Sequence, residues 1–136
     1  MAIAPTDVLG RVPLLAGLEQ RDLERLARQF RERTFPQGAT VTQEGERGVG
    51  FFVITEGEAT ITVNGEVRGR SGPGDYFGEI ALIDEGPRSA TITAETDLRC
   101  LAISAWEFRP FVEEHPHVAW TLLETLARRL RVAQSG

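Results

Sequence analysis

Between Gly72 and Ile92 the chain reads GPGDYFGEIALIDEGPRSATI, a stretch that brings glycines, the carboxylate of Glu79 and the guanidinium of Arg88 close together. Gly72, Gly74 and Gly78 let the main chain turn tightly and come near a ligand, and Phe77 anchors the last of them with an apolar ring. Glu79 to Ile83 reads as about one helical turn whose unpaired N–H groups point back toward Gly78, and such an end attracts anions. Pro87 fixes the backbone before Arg88, a planar donor able to grip two oxygens of a phosphate, and Ser89 adds a hydroxyl. A carboxylate repels phosphate, so Glu79 is expected to face a donor such as a sugar hydroxyl. Phosphate with ribose suggests a nucleotide. One arginine and no lysine in the stretch favour a singly charged phosphodiester over a polyphosphate. The Walker spacing G-x-x-x-x-G-K-[ST] is absent, and the glycine after Gly72-x-Gly74 falls at 78 with no long helix behind it, which discards a dinucleotide fingerprint.

Taken singly, a Gly-Pro-Gly run is a turn and a surface arginine is solvated; together these residues favour a binding site. The segments Phe77-Gly78-Glu79-Ile80-Ala81-Leu82-Ile83 and Pro87-Arg88-Ser89-Ala90-Thr91-Ile92 resemble the phosphate-binding cassette of the cyclic nucleotide-binding domain family. That family includes kinase regulatory subunits, cyclic-nucleotide-regulated channels and catabolite-activator-type regulators. Upstream, Gly45-Glu46-Arg47-Gly48-x-x-Phe51-Phe52-Val53-Ile54-x-x-Gly57 is similar to the family's strand-turn pattern, so the resemblance extends over nearly the whole chain. It implies an antiparallel β jelly-roll or barrel (a double-stranded β-helix), of α+β class, flanked by N-terminal helices and two C-terminal helices. It also implies that Glu79 accepts from the ribose 2′-hydroxyl, that Arg88 binds the cyclic phosphate, and that amides near Gly78, Ile80, Ala81, Ser89 and Ala90 complete the cradle. The ligand so implied is cyclic AMP. Relatives often carry threonine after the Pro-Arg pair when they bind cyclic GMP and alanine when they bind cyclic AMP. Ser89 keeps a hydroxyl without threonine's methyl, so cyclic AMP is expected to be preferred with some cyclic GMP binding retained.

The cassette needs elements to hold it. Residues 1–33 are expected to form a helical segment: the first 17 are broken by Pro5, Gly10, Pro13 and Gly17, and from Leu18 the spacing Leu23, Leu26, Ala27, Phe30 is helical, on a helix that should lie on a sheet. Its arginines alternate with Glu19, Asp22 and Glu24 and read as a solvated face. From Thr34 to Ile103 short β-branched and aromatic runs alternate with glycine, as in a small sandwich or barrel. Phe51 to Ile54 is a fully apolar strand, Ala59, Ile61 and Val63 alternate with threonines, and Asn64-Gly65 closes a hairpin of type I′. Residues 91–94 and 98–103 are two further strands, which makes the cassette (77–92) an insertion between strands. Ser104 caps a helix carrying Trp106, Phe108 and Phe111 that stops at His115-Pro116. A second helix from Pro116 to about Ala133 carries Ala119, Leu122, Leu123, Leu126, Leu130 and Ala133 in one stripe. By the resemblance this helix closes over the base, with Leu126, Arg129 and Leu130 as lid candidates. The whole, 1–136, reads as a single domain.

Composition narrows the function. The 136 residues are 41% hydrophobic and 26% charged, ordinary for a globular chain, and the net charge of -5 argues against a general nucleic-acid surface. All 15 basic residues are arginines, which excludes lysine-based catalysis. Cys100, the sole cysteine, sits in an apolar run and reads as a small core residue. No stretch approaches the roughly 20 apolar residues that cross a membrane, and the start lacks a basic region followed by an apolar one, so a cytoplasmic location is expected. Three functions compete. A sensor without catalytic residues or cofactor would convert nucleotide occupancy into movement of the terminal helix. A cupin-like metal-dependent enzyme would need inward-facing imidazoles, but His115 and His117 flank Pro116 in a helix break. A DNA-binding regulator would need a reading module after the last helix, where only Gln134-Ser135-Gly136 remain. A ligand-free structural domain of a larger regulator is a further alternative. The expectation is therefore a non-enzymatic sensor with a cyclic nucleotide as partner and no direct DNA binding.

Overall fold

The structure, a computed structural model, describes residues 5–47, 50–78 and 87–135. A short helix α1 (Pro5–Gly10), a 3-10 turn (Pro13–Leu15) and helix α2 (Gln20–Ala27) lead into eight strands. These are β1 (Arg31–Phe35), β2 (Thr40–Thr42), β3 (Gly50–Glu56), β4 (Ala59–Val63), β5 (Glu66–Ser71), β6 (Tyr76–Phe77), β7 (Thr91–Ala94) and β8 (Leu98–Ser104). Helices α3 (Ala105–Glu114) and α4 (Pro116–Ser135) follow. Phe30, expected inside α2, lies beyond its end and is buried all the same. α2 rests against α1, where a Cβ built on Gly10 would come 3.3 Å from Leu23, and through Leu23 and Leu26 it enters the apolar cluster of the first sheet.

The strands form two antiparallel four-stranded sheets, in the orders β1-β8-β3-β6 and β2-β7-β4-β5. The expected jelly-roll or barrel is corrected here: neither sheet closes on itself, and among the described residues no ladder joins one to the other. Consecutive strands change sheet at every connection but β4–β5, and two of these corners, Pro36-Gln37-Gly38 between β1 and β2 and Gly72-Pro73-Gly74 between β5 and β6, join an edge strand of one sheet to an edge strand of the other. The edge strands β1 and β6 of the first sheet and β2 and β5 of the second stay unpaired with each other among the described residues, and β6 is only two residues long. The architecture is α+β: two stacked sheets with helices at both ends of the chain packed on one of them.

Burial follows from this layering. Phe51 and Val53 of β3, with Leu101 and Ile103 of β8, join Val8, Leu9, Leu15, Leu26, Phe108, Phe111, Val118 and Leu122 in the cluster between the first sheet and the helices. Phe52 and Ile54, with Leu98 and Cys100, join Ala59, Ile92 and Ala94 between the two sheets. A strand buried on both faces must be apolar at every position, which accounts for the unbroken run Phe51 to Ile54. Cys100 is fully buried, and that burial pushes its thiol up to about 12, with the Arg33 guanidinium pulling the other way. The β4–β5 hairpin turns at Asn64 and Gly65, both with positive φ (52° and 79°), as a type I′ turn requires.

At the end of the sheets Ser104 caps α3. Its hydroxyl accepts from the Glu107 amide at 3.4 Å while its own amide donates to Glu107 Oε1 at 3.4 Å, a reciprocal capping box, and the hydroxyl also donates to Glu107 Oε1 at 2.7 Å. The Ser104 hydroxyl beside it holds the Glu107 carboxyl below the usual carboxylate range. His115 ends α3, its ring stacked on Phe111 at 4.3 Å and its Nε2 3.4 Å from Asp22 of α2. α4 departs from the expected single stripe. Val118 and Leu122 are buried against α3 and the 3-10 turn, whereas Leu123 and Leu130 are 55% and 58% exposed. The helix is covered along its first turns and outruns the layer beneath it.

Candidate functional site

The site is built on the edge of the first sheet. β6 pairs with β3 through Phe52 opposite Phe77, and the two rings stack at 5.1 Å and 15°. The turn before β6 is tied to the same strand. The Gly74 amide donates to the Ile54 carbonyl at 2.8 Å, the Ile54 amide to the Asp75 carbonyl at 2.9 Å, and the Gly72 amide to the Asp75 carboxylate at 2.8 Å. Phe77 is thereby held, and the chain leaves it through Gly78 with φ 92°. This is a left-handed conformation that side chains oppose. Space opposes them too, because a Cβ on Gly78 would strike the Gly50 carbonyl and come 2.8 Å from Arg88 Nη1.

Arg88 occupies that space. Its Nη2 donates to the Gly50 carbonyl, the first residue of β3, at 2.9 Å in a half-buried setting. Its main chain is held as well: the Arg88 amide donates to the Glu46 carbonyl at 2.8 Å, and the Arg88 carbonyl accepts from the Gly45 amide at 2.9 Å. A bridge between Arg47 and Pro87 continues the pairing. Arg88 is thus held at its main chain by Gly45 and Glu46 and at its guanidinium by the Gly50 carbonyl, and a guanidinium is a donor suited to an oxyanion.

The two expected residues Gly78 and Arg88 are therefore brought together. Ser89 is exposed and Ala90 half-buried, its carbonyl accepting from the Thr42 hydroxyl at 3.3 Å. Glu79, Ile80 and Ala81 lie outside the described residues. Leu126, Arg129 and Leu130 all fall on α4, with Leu126 half-buried. Gly50, Gly45 and Glu46 were not singled out as supports of Arg88. They act through main-chain groups, for which residue type carries no signal. The nearest sequence clue was the glycine-rich spacing of 45–50.

A model of the "Cyclic nucleotide-binding domain" family matches residues 32–115, more than half of the chain and a span that includes β1 through α3 with Gly78 and Arg88. The chain belongs to the cyclic nucleotide-binding domain family. Within that family it is similar to a CRP-like cAMP-activated global transcriptional regulator of Mycobacterium tuberculosis, 33% identical over 131 residues, 92% of this chain and 58% of the regulator. It is 40% identical over 93 residues, 67% of this chain, to a cAMP-dependent protein kinase regulatory subunit of Yarrowia lipolytica, of which it covers 25%. Among solved structures, the N-terminal domain of a transcriptional regulator from Streptomyces coelicolor superposes with a TM-score of 0.77 at 36% identity, over 95% of this chain and 93% of that one. The chain therefore spans little more than half the length of the first curated relative and nearly all of the solved N-terminal domain. These relatives are named for regulation and not for catalysis.

Among the described residues, no group of three His, Cys, Asp or Glu is placed to hold a metal ion, and no helix is long and apolar enough to cross a membrane. His115 and His117 lie at the α3–α4 junction, packed on Phe111 and on each other, away from any inward-facing strand position.

Proposed function

We propose that this cyclic nucleotide-binding domain takes cyclic AMP in the stretch 77–92 and reports occupancy through α4. The observation that carries the reading is the seat of Arg88: a guanidinium held by the Gly50 carbonyl, in a space that only a glycine at 78 leaves open. Arg88 binds the cyclic phosphate, Glu79 accepts from the ribose 2′-hydroxyl, and the amides of Gly78, Ile80, Ala81, Ser89 and Ala90 complete the cradle. The names of the regulator and the kinase subunit, both tied to cAMP, support cyclic AMP as the ligand. Cyclic GMP binds more weakly, because the exposed Ser89 hydroxyl lacks the methyl that would hold it toward an exocyclic amine. Residues 1–136 act as one unit, at work in the cytoplasm, without reading DNA through this chain.

The signal passes through α4. A ligand shifts an equilibrium only by contacting one state better than the other. A base touched by Leu126, Arg129 or Leu130 supplies that difference, and the exposed second half of α4 supports its freedom to move. Calorimetric titration with cyclic AMP and cyclic GMP tests the binding. Cyclic AMP should bind the tighter, and Arg88→Ala should remove about 2 to 5 kcal/mol of that affinity, the cost of stripping one partner from a buried charge pair. Equal affinity in the mutant would defeat the assignment. No heat with either nucleotide would leave a ligand-free structural domain.

A further inference from the structure

Two polar side chains are buried among the described residues, Thr55 and Thr42. Thr55 uses its hydroxyl inside the first sheet, on the Arg99 carbonyl at 3.0 Å. Thr42, 8% exposed at the end of β2, sends its hydroxyl out of its own strand to the Ala90 carbonyl at 3.3 Å. A buried hydroxyl is costly unless bonded, so this contact is required by its surroundings. It belongs to a set. From residues 42–46 to residues 88–91 run the Thr42 hydroxyl to Ala90, the Glu44 amide to Thr91 Oγ1 at 3.0 Å, the Gly45 amide to the Arg88 carbonyl at 2.9 Å and, in return, the Arg88 amide to the Glu46 carbonyl at 2.8 Å.

Resting on the reading that Arg88 and the Ala90 amide receive the cyclic phosphate, we infer that Thr42 is a positioning residue for that site. It touches no ligand. By holding the Ala90 carbonyl it anchors the Ala90–Thr91 peptide and so narrows where the Ala90 amide, one peptide earlier, can point relative to Arg88, whose main chain Gly45 and Glu46 hold and whose guanidinium the Gly50 carbonyl holds. Preformed donors bind an anion more tightly than donors that must be ordered on arrival.

Two substitutions separate this role from a contribution to packing. Thr42→Val keeps the shape and removes the hydroxyl; Thr42→Ser keeps the hydroxyl and removes a buried methyl. Calorimetry with cyclic AMP should show Thr42→Val weaker than the unsubstituted chain by about three- to tenfold, the worth of one net hydrogen bond. Thr42→Ser should bind normally while melting at a lower temperature. A packing role makes affinity follow melting temperature, with serine at least as impaired as valine. Thr42→Val binding like the unsubstituted chain, or Thr42→Ser losing as much as Thr42→Val, overturns the inference and leaves the assignment of Arg88 standing. An unsubstituted chain that takes up no cyclic AMP overturns both.

Discussion

Gly78 and Arg88 share one small volume, and each restricts what the other can be. Alanine at 78 would hold an unfavourable φ of 92° and press on both the Gly50 carbonyl and the Arg88 guanidinium. Gly78→Ala is expected to lower stability by about 1 to 2 kcal/mol from the backbone alone and to weaken cyclic AMP as well, checked by denaturant melts and calorimetry on the same preparations. Glu79→Ala should weaken the nucleotide by less than Arg88→Ala does, on the order of 1 to 3 kcal/mol for a sugar hydroxyl left without its acceptor. An unchanged affinity would mean that Glu79 does not meet the ribose. Cys100, buried with its thiol pushed up to about 12, should resist alkylation at neutral pH until the protein unfolds, as mass spectrometry after iodoacetamide would record. Residue type made Gly78, Arg88 and Cys100 legible in the sequence. Gly50, Gly45 and Glu46 escaped because a carbonyl or amide is the same in every residue, and only the fold says where it points.

Local chemistry made most elements readable. Asn64-Gly65 could hardly be anything but a hairpin turn, and the run Phe51 to Ile54 announced a strand covered on both faces. Ser104 announced a helix start, and the structure adds Glu107 as its partner in the cap. Ser104→Ala should cost about 1 kcal/mol, read as a lower melting temperature with α3 exchanging faster. Glu107 adds a pH dependence of known sign. Its carboxyl titrates lower in the folded chain than its ordinary 4.5, so its contribution is present above that value and fades as pH falls through the folded one. The gap in melting temperature between the unsubstituted chain and Glu107→Gln should therefore be widest above about pH 5 and close on acidification; a gap that widens in acid contradicts the cap. What local chemistry did not reveal was closure. Short strands and glycine corners suit a barrel and a pair of stacked sheets equally. The difference lies in which edges find partners, and the corners at Pro36–Gly38 and Gly72–Gly74 read the same in both cases.

Over the whole molecule, the least settled relation in the sequence was between α4 and the rest. Its leucines promised one continuous contact, yet the supporting layer ends partway along, leaving Trp120, Leu123 and Leu130 in the open. If α4 is the reporter, saturating cyclic AMP should slow hydrogen exchange in residues 117–133 and shift the emission of Trp120, which is 66% exposed. Identical exchange with and without nucleotide would remove α4 from the mechanism and leave the binding site intact. Ending the chain after Leu123 should weaken the nucleotide while the strands keep their circular dichroism, since no residue of 77–92 is lost.

One further consequence follows from the way β3 is shared. Its odd-numbered side chains, Phe51 and Val53, belong to the interior under the helices, and the even-numbered Phe52 and Ile54 to the interior between the sheets. β8 divides likewise, with Leu101 and Ile103 on one side and Leu98 and Cys100 on the other. Two interiors separated by a common wall can be rebuilt one at a time. A chimera could borrow its helices, together with residues 51, 53, 101 and 103, from a distant relative, and leave the second sheet and the seat of Arg88 in their native surroundings.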